Sequence, residues 1–305
     1  MRIAVVGIGG VGGYFGGKLA RAYASTGEHE LIFIARGEHL KAIQQNGLRL
    51  FTCEGDYTAW PNIATDHPDR LGILDLILFC VKSYALEESA ELFKDHVCER
   101  TVAIPLLNGV NSAQRIKSVL PSADIVGGSV YIISHIEKPG VIRQVDGACR
   151  LTFGTDDARK SSRYGFILDL LLKAGIDAVL TDRISEVLWT KYLLMCPLGS
   201  LTAATGKTYG EILADGKLKA ILQEMMEEVA AVARAKNIRL KDDAVEKTLS
   251  LVGTFAYNAK TSMQIDRERG KPTEIDALTA HIRQAGSEAG IATPRHDEIY
   301  RMLTV

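Results

Sequence analysis

Apolar residues recur along the first half of the chain in short runs that amphipathic segments separate. Five runs have the length and composition of buried strands, at residues 3–6, 31–35, 74–81, 101–106 and 124–133. Segments with a helical period lie between several of them, at 11–24, 84–94 and 111–119. This alternation predicts a parallel sheet with both faces covered, as in a Rossmann-type doubly wound α/β domain.

The same pattern predicts how this domain ends. Two apolar runs at 141–145 and 150–154 are joined through Asp146-Gly147, which predicts an antiparallel hairpin that extends the sheet. A helix near 160–173 and a short strand at 178–181 follow. The first domain is therefore predicted to span residues 1–183.

From residue 184 onward only helical periods remain. The helical segments are 184–196, 211–237, 242–262 and 273–290. Breaks are predicted at Pro197, Gly210, Asn237 and the turn 270–272. Residues 184–305 are therefore predicted to form an all-helical C-terminal domain.

Composition narrows the classes of function. The formal net charge of −1 gives no reason to expect nucleic acid or a membrane surface as a partner. No apolar run approaches the roughly 18 residues of a spanning helix, and no signal-peptide pattern follows Met1. The five cysteines form no C-x-x-C pair, so we expect reduced thiols in a cytoplasmic protein, with no metal site.

A glycine-rich turn follows the first predicted strand and opens a helical segment. Gly7, Gly9 and Gly12 have the G-x-G-x-x-G spacing, which in this context predicts a dinucleotide site. Gly7 permits a tight turn, Gly9 lets the backbone approach a pyrophosphate, and Gly12 lets the helix pack close to the strand. The residues expected to bind cofactor here are Gly7, Ile8, Gly9, Gly10, Val11 and Gly12.

The end of the second predicted strand bears on which dinucleotide binds. An NAD site places Asp or Glu there for the ribose hydroxyls, but this chain has Arg36, and no acid until Glu38. A guanidinium matches a 2′-phosphate in charge and geometry, so we favour NADP (NADPH) over NAD. The alternative is that Arg36 is a surface cation.

Lys191 interrupts an apolar helix face in the second domain. Its companions on that face are Ile184, Val187, Leu188 and Met195. Either the lysine stem packs while the ammonium reaches water, or the lysine is partly buried in a cleft between the domains. In the second case its pKa falls toward a range useful for proton transfer, and the lysine could protonate a ketone during its reduction.

Taken together, these segments resemble the ketopantoate reductase (2-dehydropantoate 2-reductase) family over essentially the whole chain. The landmarks are GIGGVG, IARGEHL, CVKSYAL, LLNGV, VLWTKYL with PLGSLTA, TSMQIDRERGKPTEID and GIATPRHDEIY. The resemblance implies NADPH-dependent reduction of 2-dehydropantoate to pantoate, on the route to pantothenate and coenzyme A. It leaves a homodimer open.

The resemblance also implies roles for single residues. Lys191 corresponds to the family's catalytic lysine, the general acid, and Lys82 to a lysine that faces the cofactor. Asn108 corresponds to an asparagine near nicotinamide and substrate, and Ser262 to a serine that binds substrate. Glu274 corresponds to a glutamate near cofactor, substrate and the lysine. From the residues alone, Asn108 would be a turn residue and Glu274 an acid in the first turn of a helix.

The chain departs from the family where many members carry substrate-binding asparagines. Met195 and Gly199 stand four and eight residues after Lys191, and a third asparagine aligns near Tyr209. Either Ser200 and Thr202 substitute for them, or the preferred 2-keto acid differs. The alternatives to a ketopantoate reductase are thus a related reductase of another 2-keto acid and a non-catalytic NADPH-binding sensor.

Overall fold

The structure is a computed structural model that describes residues 1–145 and 149–304. The strands are β1 Arg2–Val6, β2 Glu30–Ile34, β3 Leu48–Phe51, β4 Tyr57–Ala59, β5 Ile63–Thr65, β6 Leu76–Phe79, β7 Val102–Pro105, β8 Asp124–Ile125, β9 Gly127–Tyr131, β10 Ser134–Lys138, β11 Val141–Gln144, β12 Arg150–Gly154 and β13 Asp177–Thr181. The α-helices are α1 Gly10–Tyr23, α2 Gly37–Asn46, α3 Leu86–Glu91, α4 Ser112–Val119, α5 Ala158–Ser161, α6 Gly165–Lys173, α7 Ile184–Thr205, α8 Tyr209–Ala214, α9 Gly216–Ala235, α10 Ala244–Val252, α11 Ser262–Glu268, α12 His281–Ala289 and α13 Pro294–Thr304. Short 3₁₀ turns lie at Pro68–Arg70, Ser83–Ala85, Lys94–His96 and Ser162–Tyr164, and a π-helical stretch at Asp276–Ala280.

A sheet of six parallel strands organises the first half of the chain. Its order is β5-β2-β1-β6-β7-β8. β2 and β5 therefore lie on one side of β1, and the later strands β6, β7 and β8 lie on its other side. Alternate residues of β1 enter two separate cores, Ile3 and Val5 on one face and Ala4 and Val6 on the other. This confirms the predicted Rossmann-type sheet, with its switch point between β1 and β6.

Helix α1 lies between this sheet and a second sheet of order β10-β11-β3-β4, and its glycines allow that close packing. A Cβ on Gly16 would lie 3.1 Å from Phe33, in the parallel sheet. A Cβ on Gly17 would lie 2.6 Å from Leu50, in the second sheet. The glycine run therefore extends past the turn because side chains of both sheets approach the backbone of α1 closely.

The predicted hairpin of 141–145 with 150–154 is wrong. β11 pairs with β10 through the two-residue Pro139-Gly140 turn, in which Gly140 has a φ of 75°. β12 belongs to a third sheet, of order β13-β12-β9. Gly140 supplies the positive φ of this turn, and the register of the pair shifts between Ile136 and Lys138. The Asp146-Gly147 turn lies outside the described residues.

The predicted strand at 124–133 is two strands in two sheets. The chain changes sheet at Val126, between β8 and β9. The glycine pair after it permits a close passage, since a Cβ on Gly128 would lie 2.5 Å from the carbonyl oxygen of Pro105. β8 is half-buried and the first four residues of β9 are buried, so the apolar run continues across the change of sheet.

In the second half, Pro197 does not end its helix. α7 continues through it to Thr205. An internal proline removes one helical hydrogen bond and costs about 3 kcal/mol, and here the burial of neighbours such as Leu193 and Leu201 offsets that cost. The predicted segment 211–237 is instead split at Asp215, whose side chain caps the start of α9.

The chain divides into two compact units. The first comprises residues 1–107 and 111–184, and the second comprises residues 108–110 and 185–305. The second unit is helical in its described residues after 184, as predicted, and has its own core along α7 and α9. The short segment 108–110 follows β7 in the chain but packs with the second unit through Val110.

Candidate functional site

In the first unit, the turn after β1 has the geometry that the glycine spacing predicts. Gly7 has a φ of 91°, and a Cβ there would lie 2.8 Å from Val81. A Cβ on Gly12 would lie 2.1 Å from the carbonyl oxygen of Gly7, so only glycine allows α1 to begin this close to the strand. Gly9, in contrast, has no described heavy atom within 4 Å of its Cβ position.

The open space at Gly9 adjoins the first turn of α1. Gly9 caps this helix without a side chain, and the first helical hydrogen bond runs from Gly13 N to Gly9 O at 2.8 Å. The preceding N–H groups of Gly10, Val11 and Gly12 have no helical acceptor. A helix start with free N–H groups and room beside it fits the pyrophosphate of a dinucleotide.

Two cationic residues follow the strands on either side of β1. In the parallel sheet Val6 is in register with Ile34 and with Phe79, so the chain leaves β2 and β6 at the same edge as Gly7. Arg36 follows β2 as an exposed residue, and Lys82 follows β6 and is half-buried. The nearby acid Glu38 forms a 2.8 Å ion pair with Lys41. The turn thus has Arg36 beside it where an NAD site would have an acid.

In the second unit, Lys191 is buried, with 9% of its surface exposed. Burial lowers the pKa of its ammonium to about 8, and the charge of Glu274 partly offsets that effect. The lysine therefore does not snorkel to water, which was one of the two interpretations of its position. An ammonium with a pKa near neutrality can give up and regain a proton at physiological pH.

Glu274 is 3% exposed and accepts a 3.1 Å hydrogen bond from Nδ2 of Asn108. It stands just before the π-helical stretch Asp276–Ala280. Tyr192, the neighbour of Lys191, donates a 2.6 Å hydrogen bond to the carbonyl oxygen of Leu278 in that stretch. The second unit therefore brings together three predicted site residues: Asn108, Lys191 and Glu274.

Ser262 is exposed in the first turn of α11. Its neighbour Thr261 caps the helix and shares a 2.7 Å hydrogen bond with Thr202 of α7. This bond ties the start of α11 to the helix that carries Lys191. Tyr209, where an asparagine was expected, is half-buried beside Phe255, and burial raises its pKa to about 12.

Ser200 and Thr202, the expected substitutes for the missing asparagines, already have hydrogen-bond partners. Both residues are fully buried. The hydroxyl of Ser200 is 2.7 Å from that of Thr279, and Thr202 is held by Thr261. That Ser200 and Thr202 substitute for the asparagines at Met195 and Gly199 stays a prediction, and it requires a substrate to break these bonds.

One buried polar cluster was missed from the sequence. The His296 ring lies 2.6 Å from Glu228 through Nδ1 and 3.6 Å from the Cys196 sulfur through Nε2. Burial raises the pKa of Cys196 to about 12, so the sulfur remains a thiol and not a nucleophilic thiolate. These residues stand far apart in the chain, and no spacing signals them. They join α7, α9 and α13.

The described residues contain no group of three or more His, Cys, Asp or Glu side chains that could hold a metal ion. None of their helices combines the length and the hydropathy that crossing a membrane requires.

Comparison with known proteins places these features in a family. The family model described as "Ketopantoate reductase PanE/ApbA" matches residues 3–157, and that for its C-terminal part matches residues 183–305. A 2-dehydropantoate 2-reductase of Mesorhizobium japonicum is 31% identical, covering 99% of this chain and 97% of its own.

Solved structures agree. The PanE/ApbA family ketopantoate reductase of Ralstonia eutropha JMP134 is 31% identical, with a TM-score of 0.89 over 100% of this chain and 97% of its own. The 2-dehydropantoate 2-reductase of Porphyromonas gingivalis W83 is also 31% identical, with a TM-score of 0.87 over 100% of this chain and 99% of its own.

Proposed function

Because this chain belongs to the ketopantoate reductase family, oxidoreductases that act on CH–OH groups with a nicotinamide cofactor, we propose that it reduces a 2-keto acid to the 2-hydroxy acid with NADPH. The observation that carries the proposal is the buried Lys191, with a pKa of about 8, beside Glu274. A sensor that only binds NADPH has no use for a buried proton donor. With 2-dehydropantoate the product would be pantoate, a precursor of pantothenate and coenzyme A.

The cofactor is proposed to bind at the turn after β1. The N–H groups at the start of α1 donate hydrogen bonds to its pyrophosphate, and Gly9 leaves room for it. Arg36 pairs with the 2′-phosphate, and Lys82 lies on the other side of β1. When bound, the nicotinamide supplies the hydride for the carbonyl carbon.

The residues of the second unit are proposed to control the proton. Lys191 donates a proton to the keto oxygen as negative charge develops on it, and burial strengthens that donation by weakening the hold on the proton. Glu274 keeps a large enough fraction of Lys191 protonated, and Asn108 orients Glu274. Ser262, exposed at the start of α11, binds the substrate.

The proposal is tested by following NADPH and NADH oxidation by the purified protein with a panel of 2-keto acids that includes ketopantoate. We expect turnover of at least one 2-keto acid, with NADPH favoured. No turnover of any 2-keto acid with either cofactor would contradict the proposal.

The homodimer stays a prediction, and light scattering on the purified protein measures the oligomeric state.

A further inference from the structure

His39 lies in the first turn of α2, three residues after Arg36. Arg36 caps this helix, and its carbonyl oxygen accepts the first helical hydrogen bond, from the N–H of Leu40 at 3.3 Å. The side chain of Arg36 is exposed, whereas His39 is half-buried. Because the two residues share one helical turn, a contact that fixes the His39 ring also fixes the backbone that carries Arg36.

The His39 ring joins this turn to two other segments of the first unit. Its Nδ1 accepts a 3.0 Å hydrogen bond from the N–H of Gly140, in the turn between β10 and β11. The other ring nitrogen, Nε2, is buried, and the backbone of Ile8, in the glycine turn after β1, favours a proton on the ring. Since Nδ1 accepts a hydrogen bond, the neutral ring carries its proton on Nε2, toward the glycine turn.

The strands β10 and β11 also pack closely on α1 and α2. A Cβ on Gly10 would lie 2.2 Å from the carbonyl oxygen of Ser134, at the start of β10. At the other end of β10, a Cβ on Gly140 would lie 2.9 Å from the Cβ of Ala42, in α2. The strand pair therefore lies against both the helix start proposed to bind the pyrophosphate and the helix that Arg36 caps.

We propose that His39 is a positioning residue of the cofactor site, whose neutral ring holds the glycine turn and the start of α2 at the spacing that lets one dinucleotide reach both. The inference rests on the proposed function and deepens it. His39 acts through the backbone of Ile8 and Arg36 and does not itself touch the cofactor. Protonation of the ring turns Nδ1 from an acceptor into a donor that faces the N–H of Gly140, so that hydrogen bond is lost.

The charged groups around the ring do not hold its proton. The charged and titratable side chains of the neighbouring elements are Arg36, Glu38 and Lys41 at the start of α2 and His135, Glu137, Lys138 and Arg143 in β10 and β11. Glu38 pairs with Lys41 at 2.8 Å, and Glu137 pairs with Arg143. Among the described residues, burial lowers the pKa of His39, and the backbone of Ile8 partly opposes this effect. The ring is therefore neutral at pH 7 and gains its proton in more acidic solution.

Binding of NADP⁺, followed by calorimetric titration, tests the role of His39 without depending on turnover. His39→Phe keeps a planar ring without either nitrogen, and we expect it to raise the Kd by about 3- to 10-fold at neutral pH. His39→Asn places an amide oxygen where Nδ1 accepts the bond from Gly140, so its Kd should stay within about threefold of wild type. His135→Phe, at an exposed histidine of β10, is the matched control and should leave the Kd unchanged.

The pH dependence separates positioning from a merely structural role. A phosphate monoester such as the 2′-phosphate also ionises near pH 6, so the quantity compared is the ratio of variant to wild-type Kd at each pH between about 5 and 8. The wild-type Kd should approach that of His39→Phe as the ring gains its proton, so this ratio should fall toward one in acid. The ratio for His39→Asn should fall below one, because the amide keeps its hydrogen bond.

The outcomes separate this inference from the proposed function. A His39→Phe variant with a wild-type melting temperature and a wild-type Kd would overturn the inference and leave the function standing. If that variant does not fold, the ratio for His39→Asn decides alone, and a ratio that is constant with pH would overturn the role of the ring. Wild-type protein that binds neither NADP⁺ nor NADPH would overturn both.

Discussion

At the scale of single residues, the burial of Lys191 destabilises the folded state. Its pKa of about 8, against an ordinary 10.5, corresponds to about 3 kcal/mol of lost stability wherever both states of the chain carry the proton. Because the unfolded chain binds that proton more tightly, this cost is fully present below pH 8 and is relieved as the pH rises from about 8 toward 10.5. A buried group that destabilises the fold at neutral pH is typical of a functional site.

The pKa of Lys191 predicts the pH dependence of the reaction. Reduction requires the ammonium, so kcat should fall as the pH rises through about 8, and oxidation of the hydroxy acid should increase over the same interval. Glu274→Gln removes a charge that favours the ammonium, so the break should move to lower pH. The measurement is kcat against pH for wild type and variant, with Glu288→Gln on α12 as the control. A break that stays in place or moves upward would contradict the assignment.

Arg36 decides the choice of cofactor in this account. A charge-assisted hydrogen bond to a phosphate is worth about 1.5–3 kcal/mol, so Arg36→Ala should raise the Kd for NADPH by about 10- to 100-fold. The Kd for NADH should change little, because NADH has no 2′-phosphate. Lys41→Ala, which removes another exposed cation from α2, is the matched control, and titration of protein fluorescence gives each Kd. Equal effects of Arg36→Ala on the two cofactors would refute the role of the arginine.

At the scale of elements, the glycines at the start of α1 have two different roles, packing at Gly12 and cofactor binding at Gly9. Gly12→Ala places a methyl group 2.1 Å from a backbone oxygen, which cannot rotate away, so we expect a loss of at least about 1–3 kcal/mol in the free energy of unfolding. Gly9→Ala meets no described atom within 4 Å and should leave that free energy nearly unchanged while weakening cofactor binding. Urea unfolding and cofactor titration of both variants measure this. Equal destabilisation by the two substitutions would contradict the division of duties.

Strands and helices with a continuous local pattern were predictable. The runs at 3–6 and 31–35 became β1 and β2, and the segment 11–24 became α1, within a residue or two. The errors arose where packing between distant segments decides. Pro197 lies inside a helix because the surrounding core supports it, and β11 pairs with β10 and β3, not with β12.

The candidate site was predictable to a similar extent. The apolar helix face was enough to single out Lys191, because burying a charged lysine on such a face is unfavourable. From the residues alone, Asn108 was expected to be a turn residue and Glu274 an acid in the first turn of a helix. The family resemblance was needed to propose them as site residues. Their 3.1 Å hydrogen bond joins positions 166 residues apart, which no local pattern reports. The pairing of Ser200 and Thr202 with distant threonines was equally invisible.

At the scale of the whole molecule, the two units have different chemistry. The first has the glycine turn, Arg36 and Lys82, and the second has Lys191, Glu274 and Asn108. The family models match both parts, residues 3–157 and 183–305. We therefore expect cofactor affinity to depend on residues of the first unit and proton transfer on residues of the second, so that substitutions can separate them.

The central claim is that Lys191 is the proton donor, and Lys191→Met tests it most directly. Methionine is an unbranched, apolar residue that suits the buried position. With the best 2-keto acid found, the variant should lose about 100- to 10,000-fold in kcat. Its Kd for NADPH, measured by fluorescence titration, should stay within about twofold of wild type. Wild-type kcat in the folded variant would contradict the account.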